Sequence, residues 1–387
     1  MFVDVSACQE KKHGQNTFGD YFLSSRLNDE GRVLAVLSDG LGSGVKASIM
    51  ARMTATMLLG FMKVEMDVRK AAEIVMNSLP VCRVRGISYA TFSMVDCDDE
   101  GNARVVEEGN PDFLWFRGDR ALEAPYRLVE SRLFPDRLMK QYHFQVRHGD
   151  RLVFCSDGVT QAGLGLPGPS CLGLGRQGLE DFLRARLDRH YSIDGSMLAR
   201  EIVGQAIKLS PGHKPVDDVS AVVVHFRTPR RCVLFTGPPF EKSRDSYYVE
   251  SFSKYPGRKA ICGGTTASLV ARELGRDLRV DQGPSPGGLP PMSFMDGVDL
   301  VTEGLLTMSR ALKYLEADDL GQADPAGSLA RFLAGHDVIH VMEGTGVNLA
   351  NFDPSRALDM DLRRDVVRKL ADVLRNRHLK TVGIQRI

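Results

Sequence analysis

The chain has 387 residues, of which 50 are Lys or Arg and 49 are Asp or Glu, for a formal net charge of +1. At roughly 150 residues per domain, this length predicts two or three domains and a sizeable core. Hydrophobic residues at 43% and charged residues at 26% exclude a disordered or fibrous protein, and the even charge offers no footprint for nucleic acid or an anionic membrane.

The first strand-like run with a clear end is Arg32–Leu37, which stops at Ser38-Asp39-Gly40. A glycine turn, Gly42-Ser43-Gly44, then opens a helix expected from about Val45 to Met62, with Ile49, Met53, Met57 and Phe61 at helical spacing. Asp67 can cap a second helix that carries Ala71, Ile74, Val75 and Leu79 on one face. Strands are expected over Ser88–Val95, Ala103–Glu107, Phe113–Arg117 and Arg151–Cys155, the last ending at Ser156-Asp157-Gly158. A Gly/Pro-rich segment, Ala162–Gly175, precedes helical stretches at Leu179–Leu187 and Met197–Leu209, and the strand Val219–Phe226 closes this part. Arg227-Thr228-Pro229-Arg230-Arg231 reads as a linker, so the expected domains are 1–227 and 228–387.

Beyond the linker, strands are expected at Cys232–Thr236, Lys259–Cys262 and Val338–Met342. Helices are expected at Thr266–Leu274, Gly297–Leu315, Leu329–Leu333 and Leu362–Arg375. That alternation predicts a smaller α/β module. Gly263-Gly264-Thr265-Thr266 lies between a strand and a helix, where free amides and hydroxyls can hold an anion or simply cap the helix. Glu343-Gly344-Thr345-Gly346 follows another strand and could line the same crevice. Asp296, Asp299 and Glu303 read as one solvated helix side, and His336 and His340 as structural residues.

The seven cysteines are odd in number, scattered and without a C-x-x-C pair, which argues against a disulfide framework or a zinc site. No basic segment followed by an apolar stretch opens the chain, and no run approaches about 18 apolar residues, so a cytoplasmic protein is expected. Two G-x-G-x-x-G matches, Gly163–Gly168 and Gly173–Gly178, lack the strand–turn–helix setting of a dinucleotide site. No G-x-x-x-x-G-K-[ST] occurs either.

Two matched strand ends carry the chemistry. Asp39 and Asp157 each stand where an apolar strand meets a glycine turn, Asp217-Asp218 stands just before a strand, and Asp20 precedes Tyr21-Phe22. Carboxylates gathered at one sheet edge repel unless a cation neutralises them, and hard divalent ions such as Mg²⁺ or Mn²⁺ take oxygen ligands. Gly40 could present its carbonyl to such an ion without side-chain obstruction.

Taken in order, Gly19-Asp20-Tyr21-Phe22, Leu37-Ser38-Asp39-Gly40, Glu108-Gly109-Asn110-Pro111, Gly149-Asp150 through Cys155-Ser156-Asp157-Gly158, and Asp217-Asp218-Val219-Ser220 make a series. This series resembles the stage II sporulation protein E-like branch of the PPM (PP2C-type) serine/threonine phosphatases across nearly all of residues 1–227. The resemblance implies an α-β-β-α sandwich with two divalent cations, Mn²⁺ or Mg²⁺, at one end. It implies that Asp39 bridges the cations, that the Gly40 carbonyl binds one, that Asp157 and Asp217 complete the other shell, and that Asp20 binds directly or through water. Asp218 would occupy the Asn/Asp position beside Asp217 and is included among the metal residues.

Catalysis would run through Asp39, Asp157 and a metal-activated water attacking phosphorus in line, on phosphoserine or phosphothreonine of a bacterial regulatory protein. Arg83 and Arg85 could touch the phosphate. Leu41 replaces the His of the eukaryotic branch, and Leu133-Phe134-Pro135-Asp136 stands where a Leu-Pro-x-Gly segment is usual. The competing reading is a weak or inactive PP2C-like scaffold whose C-terminal module senses a small ligand. Assembly is left open, a homodimer included.

Overall fold

The computed structural model describes residues 1–27, 30–42, 44–78, 90–131, 138–166, 172–283, 286–346 and 354–387. It divides into two compact units, Met1–Thr228 and Pro229–Ile387.

In the first unit the strands are β1 (Phe2–Glu10), β2 (Asp20–Leu27), β3 (Arg32–Gly40), β4 (Ala90–Asp98), β5 (Asn102–Glu108), β6 (Leu114–Arg117), β7 (Arg120–Leu122), β8 (Tyr126–Glu130), β9 (Leu138–Gln145), β10 (Asp150–Cys155) and β11 (Val219–Arg227). The helices are α1 (Val45–Lys63), α2 (Val68–Ser78), α3 (Asp157–Thr160), α4 (Gly175–Arg189) and α5 (Gly195–Leu209). One sheet runs β1-β11-β10-β6-β7 and the other β2-β3-β4-β5-β9-β8, with antiparallel neighbours throughout.

Strand periodicity explains the layering. On β3, Val33, Ala35 and Leu37 face Leu152, Phe154, Val222, Val224 and Phe226 of the opposite sheet. Leu34 and Val36 face outward onto α1, through Ala55, Leu58 and Leu59. Burial on both faces is why β3 reads as a continuous apolar run. On the other side, Val153, Ala221 and Val223 pack against α4 and α5 through Leu183, Leu198 and Ile202. The result is a mixed α/β fold of α-β-β-α layers.

Local signals set the helix starts. The Asp67 carboxylate accepts from Lys70 N at 3.1 Å before α2, and Asp194 caps α5 through Ser196 N at 3.0 Å.

The second unit holds β12 (Arg231–Thr236), α6 (Asp245–Ser253), β13 (Arg258–Cys262), α7 (Gly264–Leu274), β14 (Arg279–Val280), β15 (Ser293–Met295), β16 (Val298–Thr302), α8 (Leu305–Ala317), α9 (Pro325–Ala334), β17 (Val338–Glu343), α10 (Pro354–Asn376) and β18 (Thr381–Arg386). Its sheet runs β14-β15-β16-β13-β12-β17-β18, and the five strands from β16 to β18 are parallel. Buried side chains of α8, α9 and α10 cover one face, and those of α6 and α7 the other.

The helix expected over Gly297–Leu315 is split. Val298–Thr302 forms β16, because Leu300 and Thr302 pair with Ala260 and Cys262 of β13, and only then does α8 begin. The solvated helix side expected for Asp296, Asp299 and Glu303 is therefore corrected. Asp299 lies on β16, accepting from Arg258 Nε at 2.9 Å and Lys259 N at 2.7 Å.

Candidate metal centre

Strand parity places the acidic residues. On β3, Asp39 continues the inward-facing set Val33, Ala35 and Leu37. On β2, Asp20 shares parity with Phe22, which packs into the same interior, and Asp20 stands opposite Asp39 in the β2–β3 ladder. On the other sheet, Ser156 extends the set Leu152 and Phe154, and Ser220 precedes Val222 and Val224. All four positions thus lie at one rim of the sandwich.

Asp20 is 3% exposed, and its Oδ2 accepts from Ser220 Oγ at 2.6 Å. Ser220 Oγ in turn accepts from Gln9 Nε2 at 2.9 Å, and Ser156 Oγ accepts from Ser220 N at 3.0 Å. Ser156 also hydrogen-bonds Asp20. Burial pushes the Asp20 carboxyl up to about 7 despite these two serines, whose hydrogen bonds favour its charged form.

Asp39 hydrogen-bonds both Asp20 and Asp157. Burial lifts its carboxyl to about 9, and the charges of Asp20, Asp157 and Asp217 add to the effect. Asp157 opens the single turn α3. Its carboxyl is raised by burial first and Asp217 second, while Asp39, the Gly158 amide and Gln161 Nε2, at 2.9 Å, act in the other direction.

Two glycines allow the close approach. A Cβ on Gly158 would lie 2.0 Å from the Asp218 carbonyl oxygen, and one on Gly40 would lie 2.1 Å from the Ala47 carbonyl oxygen at the start of α1. Asn110 braces the same end. It accepts from Thr91 Oγ1 and donates to Ser93 Oγ at 3.2 Å, where Thr91 is the β4 partner of Asp39.

Asp217 and Asp218 part company. Asp218 Oδ1 accepts from Lys12 N at 2.7 Å, and Oδ2 accepts from Gly19 N and from Asp20 N at 3.2 Å. A carboxylate holding three backbone amides is a brace for the segment that delivers Asp20. Asp217 stays beside Asp39 and Asp157, acting on both through its charge.

Donors of this kind suit a hard divalent cation, since all are oxygens and the bare cluster holds its protons well above the usual carboxylate range. Among the described residues no group of three or more His, Cys, Asp or Glu side chains is placed to hold a metal ion. Burial first, and then the neighbouring charges of Asp20, Asp157 and Asp217, disfavour ionisation of Asp39.

Arg83 and Arg85 lie outside the described residues. Gly263, Gly264, Thr265 and Thr266 sit in the second unit, at the start of α7. Gly263 is the N-cap, and a Cβ on Gly264 would lie 2.9 Å from Glu303 Oε1. The Glu303 carboxylate therefore faces this helix start.

Sequence reasoning did not find Gln9, Ser156 and Ser220 as a network. The available signal was parity, since Ser220 and Ser156 occupy inward positions just beyond apolar residues.

Residues 29–227 match the family model described as Stage II sporulation protein E (SpoIIE). Among solved structures, the PP2C phosphatase domain with a fragment of the regulatory domain of SpoIIE from Bacillus subtilis is similar at 19% identity and a TM-score of 0.46, covering 58% of this chain and 62% of that chain. The SiaA-PP2C domain of Pseudomonas aeruginosa is similar at 16% identity and a TM-score of 0.44, covering 57% of this chain and 85% of that one. The RsbU and RsbW domains of a Mycobacterium tuberculosis protein match at 21% identity and a TM-score of 0.42, over 59% and 62% of the respective chains. This chain therefore spans less than two thirds of the first and third of these. No curated protein matches it.

Proposed function

The chain belongs to the stage II sporulation protein E family of PP2C-type phosphatases, and from that premise we propose that residues 1–227 hydrolyse phosphoserine or phosphothreonine on a bacterial regulatory phosphoprotein. The observation that carries this reading is the meeting of Asp20 and Asp39, from the β2–β3 ladder, with Asp157, at the start of α3 just past β10. Such a cluster calls for positive charge.

Two divalent cations, Mg²⁺ or Mn²⁺, would supply that charge, offset the phosphoryl oxygens and activate the attacking water. Asp39, Gly40, Asp157, Asp217 and Asp20 would hold them. The chain's own part is to hold these oxygens in place through Ser220, Ser156 and the Asp218 brace.

Cys97 and Cys155 are poor candidates for a nucleophile: both are buried thiols, and burial pushes Cys155 up to about 12, far from the thiolate a Cys-based phosphatase needs. No described helix is long and apolar enough to cross a membrane. For residues 228–387 the reading is a regulatory or ligand-binding module.

The test is hydrolysis of a phosphoserine peptide with Mn²⁺, comparing wild type with Asp39→Ala and Asp157→Ala. A folded wild type as inert as both variants would overturn the assignment and leave the scaffold reading.

A further inference from the structure

In the second unit the last residues of the parallel strands form one polar row. Thr302, Cys262, Thr236, Glu343 and Arg386 are successive register partners across β16, β13, β12, β17 and β18. Parity puts them on the face covered by α8, α9 and α10, since Leu300, Ala260, Leu234 and Val341 pack there two residues earlier. A row of polar side chains at the end of an apolar sheet face needs a reason.

Its hydrogen bonding is incomplete. Thr236 Oγ1 and Glu343 Oε1 are buried without a partner, in residues 0% and 2% exposed. Thr307, 0% exposed and in the first turn of α8, also has an unpartnered hydroxyl. The start of α8 stands over the row, because Cys262 Sγ lies 2.9 Å from the Glu303 carbonyl oxygen and 3.5 Å from that of Gly304, the α8 N-cap. No side chain caps α8.

Positive charge is supplied from α10. Arg363 reaches the end of β12, where its Nη1 is 2.7 Å from the point a Cβ on Gly237 would occupy, and its buried Nε has no partner. Arg386 Nε meets Glu343 Oε2 at 3.4 Å and offsets that carboxylate. The first amides of α8, which no side chain caps, can take an anion. The chain also reverses direction across the sheet between β12 and β17, and crevices at the carboxyl ends beside such switch points are where open α/β sheets take ligands.

We propose that this edge, between the start of α8 and Arg363, binds the phosphate group of a small phosphate ester that also carries hydroxyls. Two threonine hydroxyls, the Arg363 guanidinium and the first amides of α8 are donors in need of a multivalent acceptor, which a phosphate is. Glu343 Oε1 is the one acceptor in need of a donor, which a ligand hydroxyl supplies. The hydroxyls are shut from solvent, so binding requires side chains at this edge to move.

The experiment is calorimetric titration of the full chain with ribose 5-phosphate and with inorganic phosphate, with ribose and acetate as controls. It is run in EDTA so that phosphate held through cations in the first unit does not contribute. Binding of ribose 5-phosphate is expected, weakened about tenfold or more by Arg363→Met and by Thr236→Val. Thr236→Val removes an unpartnered hydroxyl at nearly constant shape, so that variant should fold at least as well as wild type. Acetate binding as well as phosphate would point to a carboxylate ligand and overturn the phosphate assignment. No binding in EDTA, or binding that both variants leave unchanged, would overturn the site. Neither outcome bears on peptide hydrolysis by the first unit.

Discussion

Asp20 and Asp39 are direct partners across the β2–β3 ladder, and their carboxyl groups hydrogen-bond each other at the sandwich rim. Cross-strand carboxylates in that position repel when both ionise. The arrangement holds at the expense of charge, and this makes the site sensitive to both pH and cations.

Both groups are raised from an ordinary 3.8, Asp20 to about 7 and Asp39 to about 9. The unfolded chain therefore ionises them first, and the metal-free fold loses stability as pH climbs from about 4 toward 9. Thermal melts in EDTA should show Tm falling over that range, with Mn²⁺ reversing the fall and Asp39→Asn flattening it. A Tm that rises with pH in EDTA would contradict the cluster as described.

Removing Asp39 or Asp157 should cost activity far more than fold. Asp39→Ala is expected to lower kcat/KM for a phosphopeptide by roughly three orders of magnitude, the scale of losing metal-based charge stabilisation. Its melting temperature in EDTA should match or exceed that of wild type, because the most strongly perturbed carboxyl is gone. Circular dichroism beside the kinetics checks both halves.

Asp218 should behave as a brace. Asp218→Ala strands three amides, those of Lys12, Gly19 and Asp20, at about 1–3 kcal/mol for each that water does not reach. Metal affinity is expected to weaken about 10- to 100-fold as Asp20 loses its support. Asp218→Asn keeps one acceptor oxygen and should recover part of both. Mn²⁺ titration against chemical denaturation separates the two effects.

Gly158→Ala places a methyl group 2.0 Å from the Asp218 carbonyl oxygen, where backbone must move. A destabilisation of about 3 kcal/mol is expected, with activity lost through displacement of α3 and its Asp157. Gly60→Ala makes the control, since nothing lies within 4 Å of its Cβ position on α1. Urea unfolding of the two variants reads the difference directly.

Glu107 tests burial away from the centre. Burial, with Asp112 next, raises its carboxyl from 4.5 to about 8, although Phe113 N at 3.0 Å and Ser93 Oγ at 3.3 Å donate to it. A carboxyl raised in this way destabilises the fold progressively between those two values. Glu107→Gln should therefore melt higher than wild type above about pH 8, with the difference closing toward pH 4.5.

In the first unit β3, β4, β5, β6, β10 and β11 were legible because burial writes apolar runs, as in Arg32–Leu37 and Val219–Phe226, and because glycine turns punctuate them, whereas β1, β2, β7, β8 and β9 went unread. Asp39 and Asp157 were legible for the same reason, each being the first charge after such a run. Val298–Thr302 was misread as helix, since five residues with mixed polarity carry no period until β13 pairs with them. β18 went unread too, because its burial depends on β17 alone.

By itself, the sequence determined which strands are buried, where they end and which carboxylates stand at those ends, because these follow from local periodicity and turn chemistry. Only the tertiary structure decided what each carboxylate does. Asp217 and Asp218 are adjacent in the chain, yet Asp218 turns its oxygens to the amides of residues some 200 positions away while Asp217 stays with Asp39. Likewise the Glu303 carboxylate comes to face the glycine loop at the start of α7 from the far side of β13, which no local pattern shows. Long-range contacts choose which of a side chain's possible partners is present, and that choice is absent from local pattern.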